Sequence, residues 1–367
     1  MKPKILFLSN IPSPYRVNFF NELGKISELT VIFDQAFYQH REEAWKNYKF
    51  ETFEGIILNK KSGKPGKFCP SVIKYLKRKK YDAIFVTNLA LPTGIFAIEY
   101  MKMLRIPYIL EIDGGKAGTS KGLKKFIKKV IYRGADWYFS TSEVADGYFT
   151  SLGVDESKTV RYPFTSLYTK DILDKPLTTT EKMELKATLG LTGEKYVVTV
   201  GRFIYGKGYD ILLRADKYFV EGAKLLIIGG EPTEEYKKII EENNLTNVEF
   251  LPFTDSETLG KYYSCCDVFV FPTRTDSWGL VLGEAMAKGL PVVSSKGAVS
   301  ALTLIKEGEN GYVYEIDDEK SMAKYVNGIL NNKDLADKMA ENNIRKMQEY
   351  TYENMAKVHV DSIIDRM

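Results

Sequence analysis

Short apolar segments alternate with helical patterns along most of this 367-residue chain, and the alternation begins twice. In the first half, apolar runs fall at 4–9, 29–33, 83–87, 108–112 and 137–141. Strands that alternate with helices are typical of a parallel, doubly wound sheet with helices on both faces. The first half of the sequence therefore predicts an α/β domain.

The alternation restarts after residues 161–180, a proline- and threonine-rich stretch that is typical of a linker. The second series of strands is predicted at 196–200, 225–228, 248–251, 268–271 and 292–294, with helices at 209–218, 234–243, 257–264 and 280–288. A single core rarely keeps growing beyond about 300 residues. We therefore predict two doubly wound, Rossmann-like domains, residues 1–170 and 171–349, which face each other across a ligand-binding cleft.

Composition excludes several classes of protein. The sequence has no apolar run long enough to span a membrane, and the apolar run at its N-terminus is too short for a secretory signal. The three cysteines have no metal-ligand spacing, and the chain has only two histidines, His40 and His359. We expect a cytoplasmic protein without a metal centre, in which His40 lies in a loop and His359 is structural.

The charge is unevenly distributed. Residues 1–165 carry 27 Lys and Arg against 16 Asp and Glu, whereas the remainder carries 25 against 32. This asymmetry suggests two domains with different partners. The lysines are not interleaved with exposed aromatic residues in a recognisable RNA-binding motif, so we predict no nucleic-acid partner.

The segment 271–295 carries the strongest functional signal. Asp276 falls in the turn after an apolar run, Glu284 falls in the first turns of the next helix, and Gly279 lies between them. A turn that opens a helix suits phosphate, because it offers unpaired N–H groups and the positive end of a dipole. Carboxylates suit hydroxyl groups instead, and phosphate with many hydroxyls describes a nucleotide sugar. The alternative is an ordinary strand–turn–helix in which Asp276 caps the helix and Glu284 is solvated.

This segment resembles the signature of the retaining nucleotide-sugar glycosyltransferases of family 4, which have the two-domain GT-B fold. Their usual motif has two glutamates eight positions apart, and here Asp276 replaces the first of them. Ser277-Trp278-Gly279 stands in place of the more usual Gly-Phe-Gly, while the Gly-x-Pro turn and the following strand are present at 289–293. In the family, a C-terminal helix, here at 350–367, packs back on the first domain.

The resemblance implies a donor site in the second domain. The segment from Gly201 to Asp210 resembles the family's G-R-x4-K-G-x-D pattern, so Arg202 and Lys207 would neutralise the donor diphosphate without a metal or other cofactor. The alternative is a surface loop with two solvated cations.

The resemblance also assigns roles within 276–284. Glu284 would accept the ribose hydroxyls and Asp276 would face hydroxyls of the transferred sugar. Backbone N–H groups would bind sugar or phosphate oxygens near Trp278, Gly279 and Leu280. Asp276 is one methylene shorter than the usual glutamate, which leaves the identity of the sugar open.

Two further loops follow strands of the second domain. The first loop contains a pair of glycines that ends in Gly230, which is weak evidence for a ligand, since many strands end in glycine. The loop with Phe253 meets the nucleotide base in relatives, and it does not distinguish uracil from guanine. A plain turn is the alternative at Phe253.

The acceptor side belongs to the first domain. Asp113 stands where many relatives have a histidine near the reacting carbon, and an aspartate cannot donate as an imidazole does. The alternative is that Asp113 has no functional role and simply initiates a Gly-Gly turn. Tyr15 and Arg16 follow the first strand and are candidates for binding the acceptor, with Arg16 alternatively a cation on the surface at the start of a helix.

The segment 120–133 is a basic amphipathic helix, because apolar residues recur at helical spacing and lysines fill the opposite face. We expect its apolar stripe to pack on the sheet. The alternative is contact with an anionic membrane, which would place the protein on the inner face of the plasma membrane.

Together these features predict a retaining hexosyltransferase of cell-surface polysaccharide or glycoconjugate synthesis. The sugar would move from a nucleotide-diphosphate sugar, with a UDP-sugar favoured, to a glycan or lipid-linked acceptor. One alternative is a non-catalytic nucleotide-sugar-binding protein. The other is a sugar-nucleotide 2-epimerase, against which the scarcity of histidine counts.

Overall fold

A computed structural model of the protein describes residues 2–37, 48–61, 66–118 and 121–365. The chain divides into two compact units. Unit 1 comprises Met1–Ser166 and Tyr350–Met367, and unit 2 comprises Leu167–Glu349, whereas the sequence suggested a start at residue 171. The expected loop position of His40 lies outside the described residues.

Unit 1 contains a seven-stranded parallel sheet in the order β3-β2-β1-β4-β5-β6-β7. The strands are β1 (Lys4–Ser9), β2 (Glu28–Gln35), β3 (Glu54–Asn59), β4 (Ala83–Val86), β5 (Ile109–Glu111), β6 (Trp137–Ser140) and β7 (Thr159–Arg161). The central strands are nearly continuous apolar runs, because helices cover both faces of a parallel sheet. The sequence did not identify β3, and β7 extends into the stretch interpreted as a linker.

Helices of unit 1 lie on both faces of this sheet. They are α1 (Pro14–Ile26), α2 (Pro92–Leu104), α3 (Gly122–Tyr132) and α4 (Glu143–Ser151). Helix α1 begins at Pro14, because a proline at the first position suits a helix start. Arg16 therefore lies inside the first helical turn.

Unit 2 contains a six-stranded parallel sheet in the order β10-β9-β8-β11-β12-β13. The strands are β8 (Lys195–Val200), β9 (Ala223–Ile228), β10 (Val248–Leu251), β11 (Val268–Phe271), β12 (Val292–Ser295) and β13 (Gly311–Tyr314). The first five strands agree closely with the predicted ones. Strand β13 was not predicted from the sequence.

The helices of unit 2 and the C-terminal helix complete the fold. They are α5 (Thr179–Thr188), α6 (Tyr209–Asp216), α7 (Glu234–Glu242), α8 (Ser256–Cys265), α9 (Leu280–Ala287), α10 (Val299–Leu304), α11 (Glu319–Leu330), α12 (Lys333–Met347) and α13 (Tyr352–Ile364). Helix α13 belongs to unit 1, where it packs on α1.

Helix α3 is exposed on its apolar face as well as on its lysine face, contrary to the expectation. Its apolar side chains are largely exposed: 73% of Leu123, 62% of Phe126, 47% of Ile127 and 51% of Val130. The helix instead buries Tyr132, and the Nζ of Lys128 donates to the Tyr148 hydroxyl at 3.1 Å. The apolar stripe thus does not pack on the sheet. In the described part of the chain, no helix is both long and apolar enough to cross a membrane.

Candidate functional site

Four of the predicted donor-binding positions lie at one edge of the sheet in unit 2. Phe253, Gly230, Gly201 and Asp276 follow β10, β9, β8 and β11, which are neighbours in that order. Because the strands are parallel, all four positions lie at the edge formed by their carboxyl ends, where ligands of doubly wound folds bind. We call this edge, at the carboxyl ends of β10, β9, β8 and β11, the donor edge.

The loop after β8 is fixed against the loop after β11. A 3-10 turn at Tyr205–Lys207 ends at Gly208, which has a φ of 68°. A Cβ atom at Gly208 would lie 2.1 Å from the carbonyl oxygen of Pro272, so only glycine allows the two loops to approach this closely. The backbone N–H of Arg274 and the hydroxyl of Thr273 both donate to the carbonyl of Gly206, each at 2.8 Å.

Arg274 stabilises this contact between the two loops as a clamp, and its role was not predicted from the sequence. Its two terminal nitrogens donate to the two carboxylate oxygens of Asp210, at 2.8 and 2.7 Å. Its guanidinium also lies 4.0 Å from the ring centroid of Tyr205. Burial acts to raise the pKa of Asp210, but the bonds from Arg274 outweigh it and hold the pKa below its ordinary value. A signal was present in the sequence, since Arg274 stands only two residues before Asp276.

The clamp places Lys207 beside Asp276. The Nζ of Lys207 donates to Oδ2 of Asp276 at 2.7 Å, and both side chains are partly exposed, at 17% and 21%. The other carboxylate oxygen, Oδ1, accepts the backbone N–H of Trp278 at 3.2 Å. The backbone of Asp276 is held as well, because its N–H donates to the carbonyl of Gly297 at 3.0 Å. Two predicted side chains from distant segments therefore meet.

The start of α9 lies three residues beyond Asp276. Its N-cap is Gly279, which has a φ of 93°, and no side chain caps this helix. A Cβ atom at Gly279 would lie 2.4 Å from a ring carbon of Phe271, so a larger residue would clash. Trp278 is buried and Leu280 is half-buried. Backbone N–H groups at a helix start that lacks a side-chain cap suit an anion.

Glu284 lies in the second turn of α9 and is half-buried. Its charge reaches the buried hydroxyl of Tyr263, whose pKa is raised by burial and further by Glu284. Arg202 and Phe253 contrast with these residues. Both are exposed, and among the described residues no hydrogen bond or ion pair holds the guanidinium of Arg202.

Unit 1 contains a separate charged cluster at the carboxyl ends of its strands. Arg16 is buried rather than on the surface, which corrects the alternative that the sequence left open for it. Its NH1 donates to Oε1 of Glu111 at 2.7 Å, and its NH2 donates to Oδ1 of Asp113. Burial alone would lower the pKa of Arg16, but the two carboxylates raise it well above its ordinary value. Arg16 thus remains a cation.

The two acidic partners differ in exposure. The side chain of Glu111 is fully buried, whereas 34% of the side chain of Asp113 is exposed. Burial raises the pKa of Asp113 and the Glu111 carboxylate adds to the rise, while Arg16 acts against both. Tyr15 is half-buried, and its ring lies edge-on to Phe164 with the centroids 5.9 Å apart. Asp113 is therefore the more accessible acid of this cluster.

His359 joins the same cluster from α13. Its Nε2 lies 3.0 Å from Oε2 of Glu111, and its Nδ1 lies 2.7 Å from the carbonyl oxygen of Met355. The expectation of a structural histidine did not anticipate this contact, because 248 residues separate the two partners. Only the packing of α13 in unit 1 reveals it.

The described residues contain no group of three or more His, Cys, Asp and Glu side chains that could hold a metal ion.

Comparison with known proteins identifies similar sequences and folds. Residues 181–346 match the family described as glycosyl transferases group 1. An uncharacterised glycosyltransferase of Methanocaldococcus jannaschii is 29% identical over 297 residues, which cover 77% of this chain and 75% of that protein. A capsular polysaccharide biosynthesis glycosyltransferase, CapM of Staphylococcus aureus, is 25% identical over 298 residues, or 76% of each chain. The crystal structure of Anabaena HepE in complex with UDP superposes with a TM-score of 0.79 at 16% identity, over 99% of this chain and all of that one.

Proposed function

We propose that the chain is a retaining hexosyltransferase of the glycosyl transferases group 1 family and that it uses a nucleotide-diphosphate sugar, as the match of residues 181–346 and the two α/β domains of the GT-B fold support. The observation that carries this proposal is the contact of Lys207 with Asp276 beside the uncapped start of α9. A cation, an acid and the backbone N–H groups of a helix start without a side-chain cap converge there on one edge of a sheet. The cation and the N–H groups suit the diphosphate of a nucleotide sugar, and the acid suits its hydroxyl groups.

The diphosphate would be held by cations. Lys207 has three N–H donors and uses one of them on Asp276, so the others can reach phosphate oxygens. Arg202 is exposed on the same loop and offers a planar fork for a second phosphate contact. The start of α9 would add backbone N–H groups near Trp278, Gly279 and Leu280. With this neutralisation we expect turnover to persist in excess EDTA, since no divalent ion would be needed.

The hydroxyls would be held by acids. Asp276 keeps acceptor capacity on both carboxylate oxygens, and we assign it to hydroxyls of the transferred sugar. Glu284, in the second turn of α9, would accept the ribose hydroxyls. Gly201 and Gly230 would allow close approach of the donor to the backbone, and the exposed Phe253 would face the base. The UDP in the HepE structure supports a UDP-sugar as donor.

Transfer with retention follows from positioning and charge stabilisation. The carbon–oxygen bond to the diphosphate breaks as its negative charge is neutralised, the acceptor hydroxyl attacks the anomeric carbon from the same face, and its proton passes to the departing diphosphate oxygen. Asp113 in unit 1 is the accessible acid that we assign to the acceptor side, with Arg16 as its partner. We assign no covalent nucleophile. The acceptor would be a glycan or lipid-linked sugar of polysaccharide synthesis, as the similarity to CapM supports.

A panel of UDP-, GDP- and ADP-sugars tests this function. We expect the protein to release nucleoside diphosphate from one of these donors and to transfer the sugar with the anomeric configuration retained, as measured by NMR. A protein that binds UDP tightly but never consumes any donor would be a nucleotide-sugar-binding protein instead. Inversion at the anomeric carbon would refute the retaining mechanism alone.

Helix α3 supports a membrane-bound acceptor. Its exposed apolar stripe, Leu123, Phe126, Ile127 and Val130, is flanked by lysines, and such a face suits insertion between anionic headgroups. Each lysine near an anionic surface contributes about 1 kcal/mol of binding free energy. The protein would then work peripherally at the cytoplasmic face of the membrane.

Vesicle sedimentation tests this membrane contact. We expect the protein to sediment with phosphatidylglycerol-containing vesicles at low salt, and the Leu123→Ser/Phe126→Ser double variant to remain in the supernatant. Met183→Ser is the matched control, because Met183 is also an exposed apolar side chain (64%) on another helix, α5. Equal sedimentation of the double variant and the wild type would exclude α3 as the contact.

A further inference from the structure

We infer that His359, on the C-terminal helix, is a positioning residue that sets the orientation of Asp113 through Glu111 and Arg16. The inference rests on the proposed function, because it concerns the acid assigned to the acceptor side. It assigns an indirect role in sugar transfer to a residue that contacts neither donor nor acceptor. The four side chains form one continuous series of contacts within unit 1.

The proton arrangement of the cluster follows from its geometry. The Nδ1 of His359 faces a backbone carbonyl at 2.7 Å, and a carbonyl oxygen can only accept, so Nδ1 carries a proton. The Nε2 faces a carboxylate oxygen of Glu111 at 3.0 Å. Burial acts to raise the pKa of Glu111, but Arg16 and His359 together lower it. Because Oε1 of Glu111 accepts NH1 of Arg16, we treat Glu111 as the acceptor at Oε2 as well, and the proton of that contact is assigned to Nε2 of His359.

The cluster is joined by matched donors and acceptors. Arg16 donates to both acids, and Nε2 of His359 donates to Glu111. Buried charges are tolerated only when they are paired and hydrogen-bonded in this way. Aromatic rings enclose the imidazole on its other sides, those of Phe7, Phe19, Phe85, Phe139 and Tyr162. Among the described residues, Glu111 is the one charged group bonded to the imidazole.

The role of His359 is to keep Glu111 from capturing both nitrogens of Arg16. A guanidinium and a carboxylate prefer two parallel hydrogen bonds. Because His359 occupies Oε2, Glu111 takes only NH1 of Arg16 through Oε1, and NH2 remains for Asp113. Without the histidine, Oε2 would lose its donor inside the protein. Arg16 would then turn toward Glu111 and release Asp113.

Two variants at one position separate this role from simple packing. His359→Phe keeps a flat ring but removes both donors, and His359→Gln restores an N–H that can reach Glu111. We expect kcat for transfer to fall about 100-fold in His359→Phe, as for other misplaced reacting groups, with the donor KM unchanged. His359→Gln should recover about tenfold of that loss. Val360→Ala, a neighbouring buried position on α13 outside the cluster, should keep the wild-type kcat.

Two measurements decide the inference without any turnover. The ¹⁵N spectrum of histidine-labelled wild-type protein should show a proton on the Nε2 of His359 that faces Glu111, and only two histidines need assignment. A crystal structure of His359→Phe should show Arg16 bonded twice to Glu111 and separated from Asp113. If no donor is consumed by the wild type, the proposed function fails while these two results still stand. An unprotonated Nε2, or an Arg16–Asp113 contact that survives in His359→Phe, would overturn the inference.

Discussion

The ammonium group of Lys207 lies 2.7 Å from the Oδ2 atom of Asp276, and this contact joins the loops that follow β8 and β11. The two side chains are 69 residues apart in the sequence. They meet because Gly208 allows the first loop to press against Pro272 and because Arg274 clamps Asp210 beside it. The donor edge is thus held together by both backbone and side-chain contacts between the two loops.

Removing the cation at this contact should disable donor turnover. We expect Lys207→Ala to lower kcat/KM about 100- to 1,000-fold, since a charge aimed at the leaving group commonly contributes that much. Steady-state release of nucleoside diphosphate measures the effect. Lys237→Ala is the matched control, because Lys237 also pairs with an acid in unit 2 but on the exposed surface of α7. Near-normal turnover in Lys207→Ala would contradict the site.

Glu284→Ala should act through the ribose rather than through the phosphates. We expect the affinity for UDP to fall at least tenfold, because a carboxylate that accepts hydroxyl hydrogen bonds is worth about 1.5–3 kcal/mol. Calorimetric titration with UDP and with inorganic pyrophosphate separates the two effects. Pyrophosphate should bind the variant as it binds the wild type. An equal loss for both ligands would place Glu284 at the phosphates instead.

Arg274→Lys should weaken the clamp although the charge is kept. A lysine cannot make two parallel bonds to Asp210 or stack over Tyr205 as a guanidinium does. We expect the free energy of unfolding to fall by about 2 kcal/mol and donor turnover to fall with it as Lys207 loses its support. Urea denaturation and kinetics measure the two effects. Lys333→Ala, which breaks an exposed pair with Asp337, should change stability by less than about 0.5 kcal/mol.

Gly279→Ala tests the close packing at the start of α9. The new methyl group would meet the ring of Phe271 at 2.4 Å, on a backbone with a φ of 93°. We expect the free energy of unfolding to fall by about 3 kcal/mol, from overpacking and backbone strain together. Gly222→Ala isolates the strain, because its φ is 79° and a methyl group there meets open space. That control should lose only about 1 kcal/mol, and equal losses would exclude a clash.

Asp34 should make stability fall as the pH rises. Burial raises the pKa of Asp34 from 3.8 to about 7, although Asn88 donates to its carboxylate and lowers it. Because the folded protein holds this proton more tightly than the unfolded chain, the contribution to stability is complete below about pH 4 and is lost by about pH 7. We expect about 3 kcal/mol to be lost between pH 5 and pH 8, because the folded pKa lies about two pH units above pH 5 and each unit is worth about 1.4 kcal/mol.

The Asp34→Asn variant should remove that part of the pH dependence. Urea denaturation of wild type and variant at pH 5 and pH 8 measures it, and Asp337→Asn on the exposed surface of α12 serves as the control. A wild type and an Asp34→Asn variant with parallel pH profiles would show that Asp34 is ionised throughout.

Much of the fold could be predicted from periodicity alone. The strands β8 to β12 agree with the sequence prediction because buried parallel strands are short apolar runs bounded by turn residues. β3 was missed because its residues are only half-buried and follow a polar aromatic stretch. β7 was missed because three residues next to a proline look like a linker. The orientation of α3 was predicted wrongly, since periodicity shows that a stripe exists and not which way it faces.

The sequence by itself determined the two α/β units, the loop positions of the donor edge and the acids and cations within it, because local patterns and motif spacing encode them. The tertiary structure alone decided which of these groups meet. Lys207 contacts Asp276, and Arg274 bonds to Asp210. His359 lies in a buried cluster with Arg16 and Glu111. These contacts link residues 64 to 248 positions apart. Their geometry depends on how strands and helices pack, and no local sequence pattern records it.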